Sequence, residues 1–404
     1  MIFLSLLFFS YFSQADIYGE FILTNEIGVF IPPKFSFSSL LQRKKRLLFL
    51  ENCNKILLYS EGVFKPLIFD AQGNYLGYLE TSFYYAKKVK YQKKEMIVIP
   101  QGNVLGFYTL KNKGLNLYRK LLLNEYIEDF NFLISRDSFF IVLSCSDEKE
   151  NKIKIYNQNF KLITEKSLIG KFLIEPLFDT LILGIEKSFK KLVLLNKNLQ
   201  LLWEFQLKDL VLNDYAVWES LLIMVGSDTN QEQGALYFLS LKKGKIIDTF
   251  PFGFFYPFGF SSVKTADIDN DTEKEIILSA SGKKGEIIIF KRVKDKLIVK
   301  KKRVFQPLNP WINNVNVLIL EVDDFIYDKN RNKELILLVT YEEKTNSSLP
   351  NNFNSGQIIL VDNKLKDIAD LDLNFPLSDF LIIDKKSKKE TLLVLLTEKL
   401  KFYE

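Results

Sequence analysis

The sequence predicts an all-β fold assembled from one repeated hairpin, on three observations. A Lys-Glu pair followed by a short apolar run recurs as Lys94-Glu95-Met96-Ile97-Val98-Ile99, Lys274-Glu275-Ile276-Ile277-Leu278, Lys333-Glu334-Leu335-Ile336-Leu337-Leu338 and Lys389-Glu390-Thr391-Leu392-Leu393-Val394. The 36 Phe and 18 Tyr among 404 residues favour strands over helices. No stretch keeps a helical period over a dozen residues. Units recurring every roughly 40 to 60 residues, each too small to bury its own face, build arrays in which every unit packs on its neighbours.

Along the chain, residues Ile2 to Phe12 form an uncharged apolar run, too short to span a bilayer, followed by Ser13-Gln14-Ala15 with small residues at the cleavage positions. This predicts a signal peptide over residues 1–15, although no Lys or Arg precedes the run. The remainder, 16–404, is then extracytoplasmic (periplasmic, at the cell surface or secreted) with no further transmembrane segment. Eight hairpins open near Arg46, Glu95, Phe139, Thr180, Leu221, Glu275, Glu334 and Thr391. Their partner strands halt at an Asn or Asp turn, as in Tyr156-Asn157-Gln158-Asn159-Phe160, Leu195-Asn196-Lys197-Asn198-Leu199 and Val361-Asp362-Asn363-Lys364-Leu365, and an outer strand follows.

A unit of three or four such strands is a β-propeller blade. Counting hairpins gives eight blades, with seven as runner-up because residues 46–83 are the least regular. The last hairpin ends at Glu404 after two strands, and residues 20–41 supply two more. A composite blade of N- and C-terminal strands therefore closes the ring. Insertions at Ser227 to Gly234 and Glu342 to Gly356 project from one face.

The chain contains no histidine, which excludes Ser-His-Asp and Cys-His chemistry and the commonest zinc and haem ligand. A net charge of +6 is scattered, and basic runs such as Lys300-Lys301-Lys302-Arg303 fall at expected strand ends, so no nucleic-acid partner is predicted. Cys53 and Cys145 lie in different repeats and read as buried free thiols. Paired carboxylates are the one catalytic chemistry left open, and no acid pair here has a spacing that marks it.

The sharpest local motif is Asp267-Ile268-Asp269-Asn270-Asp271-Thr272-Glu273-Lys274-Glu275, with acids at alternate positions able to converge on a hard cation. It resembles the Asp-x-Asp-x-Asp loop of FG-GAP and VCBS-type propeller repeats. That resemblance implies one Ca²⁺ held by Asp267, Asp269, Asp271 and Glu275, with Thr272 departing from the glycine usual at the turn. The alternative is an Asx turn in which the acids cap the loop's own amides. Outer strands such as Leu201-Leu202-Trp203-Glu204-Phe205 are more weakly similar to PQQ-type propeller repeats.

A second unusual stretch, Phe250-Pro251-Phe252-Gly253-Phe254-Phe255-Tyr256-Pro257-Phe258-Gly259-Phe260, holds more aromatic residues than one core face can take. Phe252, Phe254, Phe255, Tyr256, Phe258 and Phe260 are the candidate partner-binding residues, with burial between blades as the alternative. Phe305-Gln306-Pro307-Leu308-Asn309-Pro310-Trp311 is a weaker case. The expected function is a non-catalytic platform recognising an extracytoplasmic protein or glycan, or an envelope assembly scaffold. The alternative is a polysaccharide lyase or glycoside hydrolase using carboxylates on a propeller.

Overall fold

The structure, a computed structural model, describes residues 23–28 and, with short gaps, 47–403; its longer undescribed segments are 1–22, 29–46, 60–64, 229–232, 255–260, 326–331, 344–351 and 386–389. The expected signal peptide lies outside the described residues. No helix among those residues is long and apolar enough to cross a membrane.

Strands numbered in chain order form eight antiparallel sheets of four, each a blade. Blade 1 contains β2 (Leu47–Leu50), β3 (Lys55–Leu58), β4 (Leu67–Asp70) and β5 (Tyr75–Tyr78). Blade 2 contains β6 (Lys87–Tyr91), β7 (Lys94–Gln101), β8 (Val104–Lys111) and β9 (Gly114–Leu122). Blade 3 contains β10 (Tyr126–Ile134), β11 (Phe139–Ser146), β12 (Asn151–Asn157) and β13 (Leu162–Leu168). Blade 4 contains β14 (Phe172–Leu177), β15 (Leu181–Glu186), β16 (Lys191–Asn196) and β17 (Leu201–Gln206). Blade 5 contains β18 (Leu210–Trp218), β19 (Leu221–Asp228), β20 (Gln233–Ser240) and β21 (Ile246–Phe254). Blade 6 contains β22 (Ser262–Ala266), β23 (Glu275–Ala280), β24 (Gly285–Val293) and β25 (Lys296–Phe305). Blade 7 contains β26 (Ile312–Asp323), β27 (Glu334–Glu343), β28 (Asn352–Val361) and β29 (Asp367–Leu373). Blade 8 joins β30 (Asp379–Lys385), β31 (Glu390–Leu396) and β32 (Lys399–Tyr403) to β1 (Leu23–Gly28).

The ring is thus an eight-bladed propeller closed by its terminal strands, with two adjustments to the sequence reading. Closure uses three C-terminal strands and one N-terminal strand, with β1 pairing along β32 from Leu23↔Tyr403 to Gly28↔Lys399. The overlooked strand, β30, hides because Asp379, Asp384 and Lys385 bracket only a short apolar run. The second strand expected within 20–41 lies outside the described residues. Seven hairpin openings mark the second strand of a blade, whereas the one near Arg46 falls on the innermost strand β2.

Eight apolar clusters among the described residues hold the ring, each joining two successive blades. One joins Phe69 of blade 1 to Phe402 of blade 8 and so completes the circle. Side chains alternate across each sheet, so Ile276 and Leu278 of β23 pack toward blade 5 while Ile277 packs toward blade 7. Burial on both faces explains why every second strand reads as an unbroken apolar run. Cys145 is buried and Cys53 half-buried, both as free thiols.

Each outermost strand carries a β-bulge that skips one residue: Leu76, Tyr118, Ile163, Leu202, Ile247, Lys300, Ile368 and, in β1, Thr24. A bulge twists and interrupts an edge, which blunts edge-to-edge pairing despite exposed side chains such as Tyr118 and Leu202. In four blades the turn before the outermost strand is built alike. The side chains of Asp70, Asn157, Asn196 and Asp362 each accept backbone N–H bonds from residues two and four positions on, at 2.7 to 3.0 Å. Phe160, Leu199 and Leu365 follow in the left-handed region, with φ of 66°, 58° and 64°.

Asn196→Ala removes both acceptor bonds and should cost about 1–2 kcal/mol in urea unfolding. Asn196→Asp, the residue that blades 1 and 7 use at this position, should stay within about 0.5 kcal/mol of the native chain.

Candidate functional site

Three places gather the sequence-predicted residues or chemistry. Four antiparallel strands per blade put every blade-to-blade connection, and every loop between second and third strands, on one face of the ring. The loops between first and second strands lie on the other.

The acidic loop belongs to this other face. It joins β22 to β23, with Asn270 and Thr272 at φ of 59° and 75°, a left-handed conformation costly for β-branched Thr272. Asp267, Asp269 and Glu275 each bring one oxygen within 4.8 Å of the others. Asp271 turns instead to Lys291. Asp267 accepts the N–H groups of Asp271 at 3.1 Å and Thr272 at 2.9 Å, so it also caps its own loop. Glu275 is fully buried; its Oε2 accepts the Ile268 N–H at 3.1 Å and its Oε1 accepts from Lys300 Nζ at 3.0 Å. Lys300 also bonds Asp269. Burial opposes the Lys300 charge, yet Asp269 and Glu275 hold its pKa above the ordinary lysine value.

Glu275 also explains the Lys-Glu pair in the three of its four occurrences whose side chains are described. Glu334 of blade 7 accepts the Phe325 N–H at 2.8 Å from the corresponding loop. Glu95 of blade 2 reaches across to blade 1 and accepts the N–H groups of Glu51 and Asn52, both at 3.0 Å. The buried glutamate is a backbone cap, which the apolar periodicity alone does not reveal.

The second place is the central channel, where the innermost strands line up. A cavity of about 510 Å³ lies between β14 and β18, lined by Glu175, Pro176, Leu177, Phe178, Asp214, Tyr215, Ala216 and Val217. Burial pushes the Asp214 carboxyl up to about 6, against the pull of Lys264 and the N–H groups of Val263 and Tyr215. Burial likewise raises Glu175, which hydrogen-bonds Tyr215 and feels both Lys87 and Asp129. Tyr85 donates to Asp129 at 3.1 Å, and burial together with Asp129 raises its hydroxyl pKa.

Several of these acids tie neighbouring blades. Asp129 Oδ2 accepts the Ile174 N–H at 2.7 Å, Asp214 Oδ2 the Val263 N–H at 3.0 Å, and Asp379 Oδ2 the Leu47 N–H at 2.9 Å. Each spans the seam to the next blade, and at the blade 6–7 seam Ser262 Oγ does the same for the Ile319 N–H at 3.0 Å. Beside Asp129, Glu128 meets Lys171 and Lys187 of blade 4. Although burial opposes it, these lysines and Ser146 bring its carboxyl down to about 2. The sequence analysis missed these seam acids. Their signal is an aspartate followed by an aromatic residue on the innermost strand: Asp129-Phe130, Asp214-Tyr215, Asp379-Phe380.

The third place is the connection face. Phe252 is 6% exposed and packs in the core between blades 5 and 6, which corrects its expected place in a surface patch: β21 continues through it and turns its ring inward. Phe254 ends β21, and Phe255, Tyr256, Phe258 and Phe260 lie outside the described residues. On the next connection, Leu308 and Trp311 are 62% and 76% exposed. Asn309 Oδ1 accepts the N–H groups of Trp311 at 2.9 Å and Ile312 at 3.2 Å, fixing the turn that displays them.

No protein-family profile matches the chain, and no curated protein matches its sequence. Solved structures match in shape. The Dos1 propeller is 11% identical, with 91% of this chain and 93% of that one covered at a TM-score of 0.51. BamB from Moraxella catarrhalis is 10% identical over 95% and 97% of the two chains, at 0.49. Hsv2 of Kluyveromyces lactis is 12% identical over 64% and 85%, at 0.44. At such identities the likeness speaks to the propeller fold alone.

Asp214 sets a pH test. Unfolded, its carboxyl ionises near 3.8; folded, it keeps its proton to about 6. The folded state therefore binds more protons across that interval, and this group's contribution falls by about 3 kcal/mol as pH rises through it. Asp214→Asn keeps an acceptor for the Val263 N–H, so it should remove that slope and be the more stable protein at pH 7.5. Asp214→Ala loses the acceptor and should cost about 1–3 kcal/mol relative to the Asn variant at every pH, read by urea unfolding.

Proposed function

We propose that this chain is a non-catalytic recognition or assembly platform working outside the cytoplasm, with an extracytoplasmic protein or a glycan as its partner. The observation that carries the reading is the exposed Leu308–Trp311 turn on the connection face. Two large apolar side chains held out by an Asx turn give a partner a preorganised anchor, and Trp is the residue most enriched among interface hot spots. The connection before it carries Phe255, Tyr256, Phe258 and Phe260, and the insertions of blades 5 and 7 leave from the same face. The extracytoplasmic setting rests on the apolar run Ile2 to Phe12 and the small residues that follow.

A second reading, carbohydrate cleavage, has one observation in its favour: Glu175 and Asp214 line one cavity and both have raised pKa values. Asp214 already accepts a seam bond, which is a sufficient structural reason for its burial.

The test is affinity capture from the native envelope with the mature chain, followed by binding measurements on the partner recovered. Leu308→Ala with Trp311→Ala should weaken binding by about 30-fold or more while leaving the unfolding midpoint unchanged. Unchanged affinity would remove the connection face from the account. Cleavage of a polysaccharide that stops in Glu175→Gln would replace the platform by the enzyme.

A further inference from the structure

Of the eight carboxylate oxygens on Asp267, Asp269, Asp271 and Glu275, seven already accept a hydrogen bond. Four bonds come from backbone N–H groups of Ile268, Asp271, Thr272 and Glu273. Three come from ammonium groups: Lys300 to Asp269 and to Glu275, and Lys291 to Asp271. Only Asp269 Oδ1 is buried without a partner. A Ca²⁺ ion takes six to eight oxygens at about 2.3–2.6 Å, and an ammonium among those oxygens occupies its position and repels it. As built, the loop does not fit a calcium ion.

The two lysines are placed by the sheet. Lys291 lies on β24 and Lys300 on β25, the two outer strands of the blade that carries the loop. Lys300 is the residue skipped by the β25 bulge, since Ile289 pairs with Lys301 and Phe290 with Val299. In six other blades that bulge position holds Leu76, Tyr118, Ile163, Leu202, Ile247 or Ile368. The acidic loop and the bulged lysine therefore occur together in blade 6. At that position Lys300 gives the fully buried Glu275 a counter-charge at 3.0 Å.

We propose that Lys300 and Lys291 take the place of a divalent cation in this loop, so that the protein closes blade 6 with its own ammonium groups and does not require calcium. Lys300 bridges Asp269 and Glu275 as a bound cation would. Lys291 neutralises Asp271 and lies 3.6 Å from Glu273 and 3.9 Å from Glu275.

Calcium titration and thermal unfolding of the full chain test this. In the native protein, millimolar Ca²⁺ and excess chelator should give the same midpoint within about 1 °C, and calorimetry should detect no calcium binding below about 1 mM. A midpoint that rises with calcium and falls with chelator would overturn the proposal. Lys300→Met should lower the midpoint by about 2–5 °C, and Asp269→Asn added to it should recover part of the loss because one uncompensated charge is gone. A Lys300→Met protein as stable as the native chain would also overturn it. Should Lys300→Met fail to fold, Lys300→Arg should retain the native midpoint, and the calcium titration of the native chain still decides.

Discussion

A ring of blades leaves one backbone problem that its sheets cannot solve. The innermost strand of each blade pairs on one side only, so its other N–H groups point across a seam toward a neighbour with no ladder to offer. At four of the eight seams side chains supply acceptors, beside backbone contacts such as Val315 N–H to Gly282 O at 2.7 Å and Ile127 N–H to Gly102 O at 3.0 Å. Asp129, Asp214, Asp379 and Ser262 each receive an N–H from the next blade. The apolar clusters bring blades together without direction; at these four seams the bonds fix how one innermost strand is offset from the next. Burying an aspartate for this purpose raises its pKa where compensation is thin, as at Asp214. Where lysines gather, as around Glu128, the carboxyl stays ionised.

The two faces of the ring divide the labour. On one, the loops between first and second strands are tied by buried glutamates, so Glu275 and Glu334 hold their own loops and Glu95 holds the turn of blade 1. The other carries the connections and insertions, where Leu308 and Trp311 stand exposed on a turn that owes its shape to Asn309. Loops on this second face can change without disturbing the seams.

The blade count was legible because burial on both faces leaves an apolar run at the second strand of nearly every unit, and the Asn or Asp turns were legible because their side chains build the turn. Strand β30 was not, since its apolar core is short and its flanks are charged. The loop acids were visible, but which cation meets them depended on a bulge. Lys300 lies 25 positions beyond Glu275, and only the skipped register of β25 brings them together. Phe252 was misplaced because composition counts aromatic residues without saying which continue a strand.

Native-state hydrogen exchange at the amides of Leu47, Ile174 and Val263 tests the seam account most directly. These protons should exchange only through global unfolding, and Asp379→Ala should release Leu47 while leaving Ile174 and Val263 protected. Exchange of all three in the native chain at the rate of surface turns would contradict it, for the blades would then be held by apolar packing alone.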